Sequence, residues 1–278
     1  MNLNRLYIIL LGAALAVGCS REISLEFRQD NDGVWRVSQE QMDAWAKMVF
    51  KADSASAKAL IDRAYSAADS LAAGEEPPHT LETFARDVAD RFLSLSSPFY
   101  NEQVYEMALD RESECDSWDS WGRRGSNWRR ALLNLNRAGT MVSDFWLSSA
   151  GESPDTLLRK LLPGAPETVL FIYGESCHAC DILIDEICRS RTFKRMAESG
   201  KVQFVSLYTG ENDNEFVQKA SLLPAYWRNW RDRENVVMYD RAFDTRMIPS
   251  LYVIDQNGIV LLRGARTTKT CLSFLKKL

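Results

Sequence analysis

Histidine is nearly missing from this chain: its 278 residues include two, His79 and His178. A histidine-rich metal centre or a histidine-based triad has little to be built from. A basic surplus is missing as well. The formal net charge is -4 at pH 7, and no positive stripe or domain stands out, which argues against nucleic acid as the main partner. No apolar run is long enough to span a bilayer as an ordinary anchor helix. There is no internal repeat and no low-complexity tract. What is present is 46% hydrophobic and 26% charged residues, a composition that suits a folded soluble protein of one or two domains.

The chain opens with "MNLNRLYIILLGAALAVGCS", in which Arg5 precedes an apolar run over 6–17. That is the pattern of a signal peptide. It ends in "LAVGC", which resembles the lipobox of bacterial lipoproteins. Small Ala16 and Gly18 would admit the signal peptidase and the Cys19 sulfur would take the lipid, although leucine is commoner where Ala16 stands. The plainer reading is a secretory signal whose last cysteine is incidental. The lipobox reading makes 1–19 a lipoprotein signal peptide. Several acyl chains on Cys19 suffice for stable anchoring, since one chain is marginal and two hold. The location is then extracytoplasmic, periplasm-facing or in the cell envelope, where disulfides persist.

Two patterns follow. From 20 to 136 the sequence reads as an all-α domain. Met42, Trp45, Met48 and Val49 lie at helical spacing, and Leu60, Ala64, Ala67, Ala68 and Leu71 continue it. "GEEPPHT" is a stop and linker, with Thr80 as a candidate cap of the next helix. Leu81, Phe84, Val88 and Phe92 share a face, Asn101 is a plausible cap, and "SNWRRALLNLNRAG" gives a further helix. This half carries no catalytic signature. Its tryptophans (Trp45, Trp118, Trp121, Trp128) are expected to be core anchors rather than a ligand cage.

From 137 to 278 the pattern alternates between strand and helix. "MVSDFWL" alternates like a strand, and "TVLFIY" is a continuous apolar run, as a central parallel strand buried on both faces requires. A helical stretch starts at Cys180, "KVQFVSLYTG" is the next strand and "FVQKASLL" a short helix. "RMIPSLYVIDQNGIVLLRG" reads as a hairpin turning at Asn257-Gly258, and "TTKTCLSFLKKL" closes the chain as a helix. "LLPAYWRNWRDRE" is expected either to rim the active site or to lay Trp227 and Trp230 over the sheet.

This order, with Cys177-x-x-Cys180 at the end of the first buried strand and Pro249 opening the later hairpin, resembles a thioredoxin fold. Cys177 and Cys180 match the family's active-site pair, and Ile248-Pro249 its bond before the cis-proline. Ser176 stands where tryptophan is usual, and Phe171 where the family often buries an acid. "NRAGTMVSDFWL" is similar to the opening of TlpA-like and peroxiredoxin-like relatives. Lipobox, helical half and redox half together resemble bacterial thioredoxin-like lipoproteins with an N-terminal helical region of unknown function. The resemblance implies an α/β thioredoxin fold preceded by an all-α domain. It also implies a thiol-disulfide oxidoreductase acting on protein thiols and disulfides, with an unidentified redox donor and no cofactor.

The residues support that chemistry. A cysteine attacks a disulfide as its thiolate. Cys177, at a helix start, would be stabilised by free amide donors and the helix dipole. Cys180, one turn below, can resolve the mixed disulfide. Cys177 is expected to be partly exposed and Cys180 buried. His178, if protonated, would add positive charge, while the helix N-terminus disfavours that cation. Glu175, Asp181 or Glu186 could pass a proton to Cys180. A cis Ile248–Pro249 bond would set the Ile248 backbone beside Cys177 for an extended substrate, whereas the bland reading of Pro249 is the first residue of an edge strand.

Other readings stay open. Cys177, His178, Cys180 and Cys188 are ligand types for zinc, but His178 adjoins Cys177 and no second Cys-x-x-Cys exists, so no metal is expected. A non-catalytic lipoprotein scaffold that binds a partner through both domains is the runner-up. Cys188 is expected in a core, Cys271 in apolar packing, and Cys115, in "RESECDSWDS", at the surface. With Cys19 lipidated and Cys177 paired with Cys180, three cysteines remain, which leaves at least one free or bonded between chains.

Overall fold

The computed structural model describes residues 25–149 and 153–278; Cys19 and the signal-peptide reading lie outside them. The chain forms two compact units that divide between Ala131 and Leu132.

The first unit is helical apart from a small antiparallel pair, β1 (Arg28–Gln29) and β2 (Trp35–Arg36). Its helices are α1 (Gln39–Lys51), α2 (Ser54–Ala72), α3 (His79–Phe92), α4 (Glu102–Ser113) and α5 (Ser120–Asn134), the last ending past the division. The apolar pattern that runs from 38 to 73 is cut in two. Ala52 turns extended and the Asp53 carboxylate accepts the Ser56 N–H, which starts α2 afresh. Thr80 is not the cap of α3 but its second residue. It is buried, accepts the Trp35 N–H at 3.1 Å and donates to Glu75. Asn101 caps α4 as expected, accepting from Gln103 and Val104. Trp45 packs among Phe84 and Phe92, and Tyr65 against Phe84. Trp45 and Trp118 are buried, but Trp121 and Trp128 are 74% and 47% exposed and anchor no core.

The second unit is built on a seven-stranded sheet. Its elements are β3 (Trp146–Ser149), β4 (Thr156–Leu157), α6 (Leu158–Leu161), β5 (Glu167–Tyr173), α7 (His178–Arg189), α8 (Arg191–Glu198) and β6 (Val202–Tyr208). Then come α9 (Asp213–Leu222), β7 (Trp227–Asp232), α10 (Val236–Tyr239), β8 (Ser250–Asp255), β9 (Val260–Ala265) and α11 (Thr268–Leu275). The strand order is β4-β3-β7-β6-β5-β8-β9. Strands β5, β6 and β7 run parallel, and β3, β8 and β9 pair antiparallel to their neighbours.

Strand β5 is the centre. Val169, Phe171 and Tyr173 enter one core together with Cys180 and Ile184, while Leu170 and Ile172 enter the other with Leu147 and Val205. The period of two explains why an unbroken apolar run is needed there. The segment expected either to rim the active site or to lay Trp227 and Trp230 over the sheet is itself a strand of the sheet, β7. Trp227 lies in the first core and Trp230 in the second, three residues apart and therefore on opposite faces. The strand expected in "MVSDFWL" begins only at Trp146; Met141 makes an isolated bridge to Ile259.

Candidate active site

Parallel strands β5 and β6 end side by side, so the loops that follow them meet at one edge of the sheet. That edge is where α/β sheets place their sites. After Tyr173 the chain makes three residues of loop and enters α7 with Cys177 as N-cap. Cys177 is half-buried and Cys180 fully buried. Their sulfurs are joined in a disulfide with a Cα–Cα distance of 5.2 Å. The Cys177 sulfur accepts the Cys180 N–H at 3.2 Å, and the Cys180 sulfur accepts the Gly174 N–H at 3.5 Å. Both sulfurs therefore face backbone donors, as a developing thiolate needs.

The loop is clamped to α9 from both sides. Glu175 Oε2 accepts the N–H groups of Glu211 and Asn212 at 3.0 and 3.3 Å. In return Glu215 Oε1 accepts the Ser176 N–H at 2.8 Å. That bond holds Ser176 in the left-handed region, φ 49°, where non-glycine residues seldom sit. The Lys219 ammonium, its side chain 8% exposed, lies 3.1 Å from Glu215 and 3.0 Å from Asp181 on the first turn of α7. These are ion-pair contacts, not aligned hydrogen bonds.

The residues singled out around the cysteine pair each have a definite place. His178 is exposed at the start of α7. The three acids proposed as proton carriers are engaged elsewhere: Glu175 with amides, Asp181 with Lys219, and Glu186 as acceptor of the Thr268 hydroxyl at 2.9 Å. The Ile248–Pro249 bond is cis. Ile248 lines the same cleft as Cys177, and Pro249 is buried. Under the pair, where an acid often lies in thioredoxins, Phe171 stacks on Tyr173 at 5.0 Å. Tyr173 in turn meets Tyr208, and Tyr208 meets Phe216. Burial raises the phenol pKa of both tyrosines.

The other cysteines reverse two expectations. Cys115, placed by its polar neighbours at the surface, is buried, and burial pushes its thiol up to about 12. Cys188, expected in a core, is exposed and donates its S–H to the Leu222 carbonyl at 3.1 Å. Cys271 is buried as expected, its thiol also pushed up to about 12. Among the described residues no group of three or more His, Cys, Asp or Glu is placed to hold a metal ion, and no helix is long and apolar enough to cross a membrane.

Beside the disulfide opens a cleft of about 510 Å³. Its walls come from the loops after β5 and β6, from α10 and from the approach to Pro249, and include Thr209, Gly210, Glu211, Asn235 and Tyr239. Gly210 has a steric reason: a Cβ there would stand 2.5 Å from the Tyr208 hydroxyl oxygen and 2.6 Å from Glu175 Cβ. None of these wall residues was found by motif. The usable signal was topological, since "TGENDNE" follows a strand parallel to the one that carries the cysteines.

No family model matches the chain, and no curated protein matches it. Solved structures do. A thioredoxin-like protein from Bacteroides caccae is 20% identical over 86% of this chain and 83% of its own, with a TM-score of 0.72. The C-terminal domain of an uncharacterized protein from Bacteroides fragilis is 29% identical over 51% of this chain and 99% of its own, with a TM-score of 0.47. A domain of a possible thiol-disulfide isomerase from Cytophaga hutchinsonii is 18% identical over 51% of this chain, with a TM-score of 0.40. The fold is thus thioredoxin-like, mixed α/β with helices preceding the sheet.

Proposed function

We propose that this chain is a thiol-disulfide oxidoreductase that acts on protein disulfides through Cys177 and Cys180, held outside the cytoplasm by a lipid on Cys19. The observation that carries the redox part is the asymmetry of the pair. One sulfur opens to a cleft at a helix N-terminus, and the other is sealed in the core one turn below.

The chemistry follows from that asymmetry. In the reduced protein the Cys177 thiolate, stabilised by the Cys180 N–H and the first-turn dipole, attacks one sulfur of a substrate disulfide. A mixed disulfide forms and the substrate's second sulfur leaves as thiolate. The Cys180 sulfur, already on the Gly174 N–H, then displaces substrate from Cys177 and closes the 177–180 bond. Two electrons pass to the substrate, and a thiol donor resets the pair. The same steps reversed oxidise a substrate dithiol. The anchor reading rests on the lipobox sequence alone.

Two assays test the proposal. The protein should reduce insulin disulfides with a thiol donor, and Cys177→Ser should abolish that activity. An inert protein with an intact 177–180 pair would favour the scaffold reading. Cys19→Ala should move the protein from membranes to the soluble extracytoplasmic fraction without loss of insulin reduction; retention on membranes would defeat the lipid anchor.

A further inference from the structure

Among the described residues, the walls of the cleft beside Cys177 contain two carboxylates, Glu175 and Glu211, and no lysine, arginine or histidine. Both acids are held in place. Glu175 is fixed by two backbone amides. Glu211 Oε1 accepts the Tyr239 hydroxyl at 2.9 Å and the Asn235 amide at 3.3 Å. These bonds occupy Oε2 of Glu175 and Oε1 of Glu211, so one oxygen on each remains to receive a ligand. Next to them stand two uncovered apolar groups, Tyr239 at 72% exposure and Met238 at 49%.

Three cations from neighbouring elements are engaged with other acids. Lys219 is spent on Glu215 and Asp181, Arg231 on Asp213 and Arg246 on Asp244. His178 adjoins Cys177 in sequence but does not line the cleft.

We infer that the cleft selects disulfides flanked by lysine or arginine. A basic side chain entering beside the substrate sulfur meets both carboxylates with its head. Its aliphatic stem lies on Met238, and the Tyr239 ring offers its face to the cation. An acidic flank meets the same carboxylates as like charge and is repelled. The inference rests on the oxidoreductase reading and names its substrate class. The bonds exchanged are those already given: Cys177 joins the substrate sulfur, the partner thiolate leaves and takes a proton from solvent, and Cys180 closes the ring.

The test uses reduced protein in single turnover against three disulfide peptides that differ only in their flanks, Lys, Gly or Glu. The lysine peptide should react about tenfold faster than the glutamate peptide, the sum of two partly exposed charge pairs. High salt should compress the ratio toward one, because the pairs are accessible to screening ions. Glu211→Gln, which keeps an acceptor for Tyr239, should cut the ratio about threefold, and Glu211→Lys should cut it further or invert it. Equal rates for the lysine and glutamate peptides would overturn the selectivity and leave the redox reading standing. A ratio that survives both Glu211→Lys and salt would also overturn it. No exchange with any peptide would overturn both.

Discussion

Removing the Glu215 side chain should loosen the loop that carries Cys177, by an amount that can be worked out from its contacts. Glu215 accepts the Ser176 N–H at 2.8 Å and pairs with Lys219 at 3.1 Å. A hydrogen bond to a charged acceptor is worth about 1.5–3 kcal/mol, and the lower end applies because Ser176 is exposed and its amide can turn to water. Stranding a buried cation costs about 3–5 kcal/mol. Here Asp181 stays within 3.0 Å of Lys219 and is itself 53% exposed, so less than half of that is lost. Glu215→Ala should therefore cost about 2–3 kcal/mol, and Glu215→Gln, which keeps the acceptor, about 1 kcal/mol. Adding Lys219→Met to Glu215→Ala removes the stranded charge and should recover about 1 kcal/mol. The assay is urea denaturation at constant m, closed as a double-mutant cycle. A further loss on adding Lys219→Met, or a Glu215→Ala cost no larger than that of an ordinary surface change, would refute the clamp.

Two further predictions concern buried carboxylates. Burial raises the Asp232 pKa above 3.8, against hydrogen bonds from Val237 and its neighbours that lower it. The native state therefore holds a proton that the unfolded state has released, and stability falls as pH rises from the unfolded value through the folded one. Asp232→Asn should remove that slope, so its stability relative to the parent should be higher at neutral pH than near the ordinary aspartate value. The opposite order in urea midpoints would contradict it. In the helical unit, fully buried Glu112 accepts the Tyr65 hydroxyl at 3.1 Å and is bound by Ser126 and Arg129. Glu112→Ala leaves that guanidinium unpaired and should cost about 3–5 kcal/mol in thermal or urea unfolding; a loss within the range of surface changes would refute it.

What the sequence showed plainly was what burial or turn geometry dictates. Strand β5 is apolar without a break from Val169 to Tyr173 because both its faces are covered, and Asn257-Gly258 must turn because Gly258 sits at φ 89°. Strand β7 was hidden for the opposite reason. Its two tryptophans are an odd number of positions apart, so "WRNWRD" shows neither the alternation of a one-sided strand nor the unbroken run of a two-sided one. The cysteines misled through local context. Cys115 sits between Glu114 and Asp116, which turn outward, with Asp69 accepting the Asp116 and Ser117 amides, while its own side chain turns in. On α7 the buried stripe is Cys180, Leu183, Ile184 and Ile187, and Cys188 falls one step off it, about 100° around the helix. The cysteine pair was legible because its two-residue spacing is itself the signal. The clamp and the acidic cleft were not, because Glu211, Glu215 and Lys219 reach the pair only through the parallel pairing of β5 and β6.

The most direct measurement of the central claim is covalent trapping. Reduced Cys180→Ser protein, offered a disulfide substrate, is analysed intact by mass spectrometry. The account predicts one substrate chain attached at Cys177, stable until a thiol is added, because the sulfur that would displace it is gone. Cys177→Ser, with Cys188→Ser removing the exposed third thiol in both proteins, should carry no adduct, since the Cys180 sulfur is fully buried. Equal adducts on both variants, or none on Cys180→Ser, would contradict the division of labour between an attacking Cys177 and a resolving Cys180.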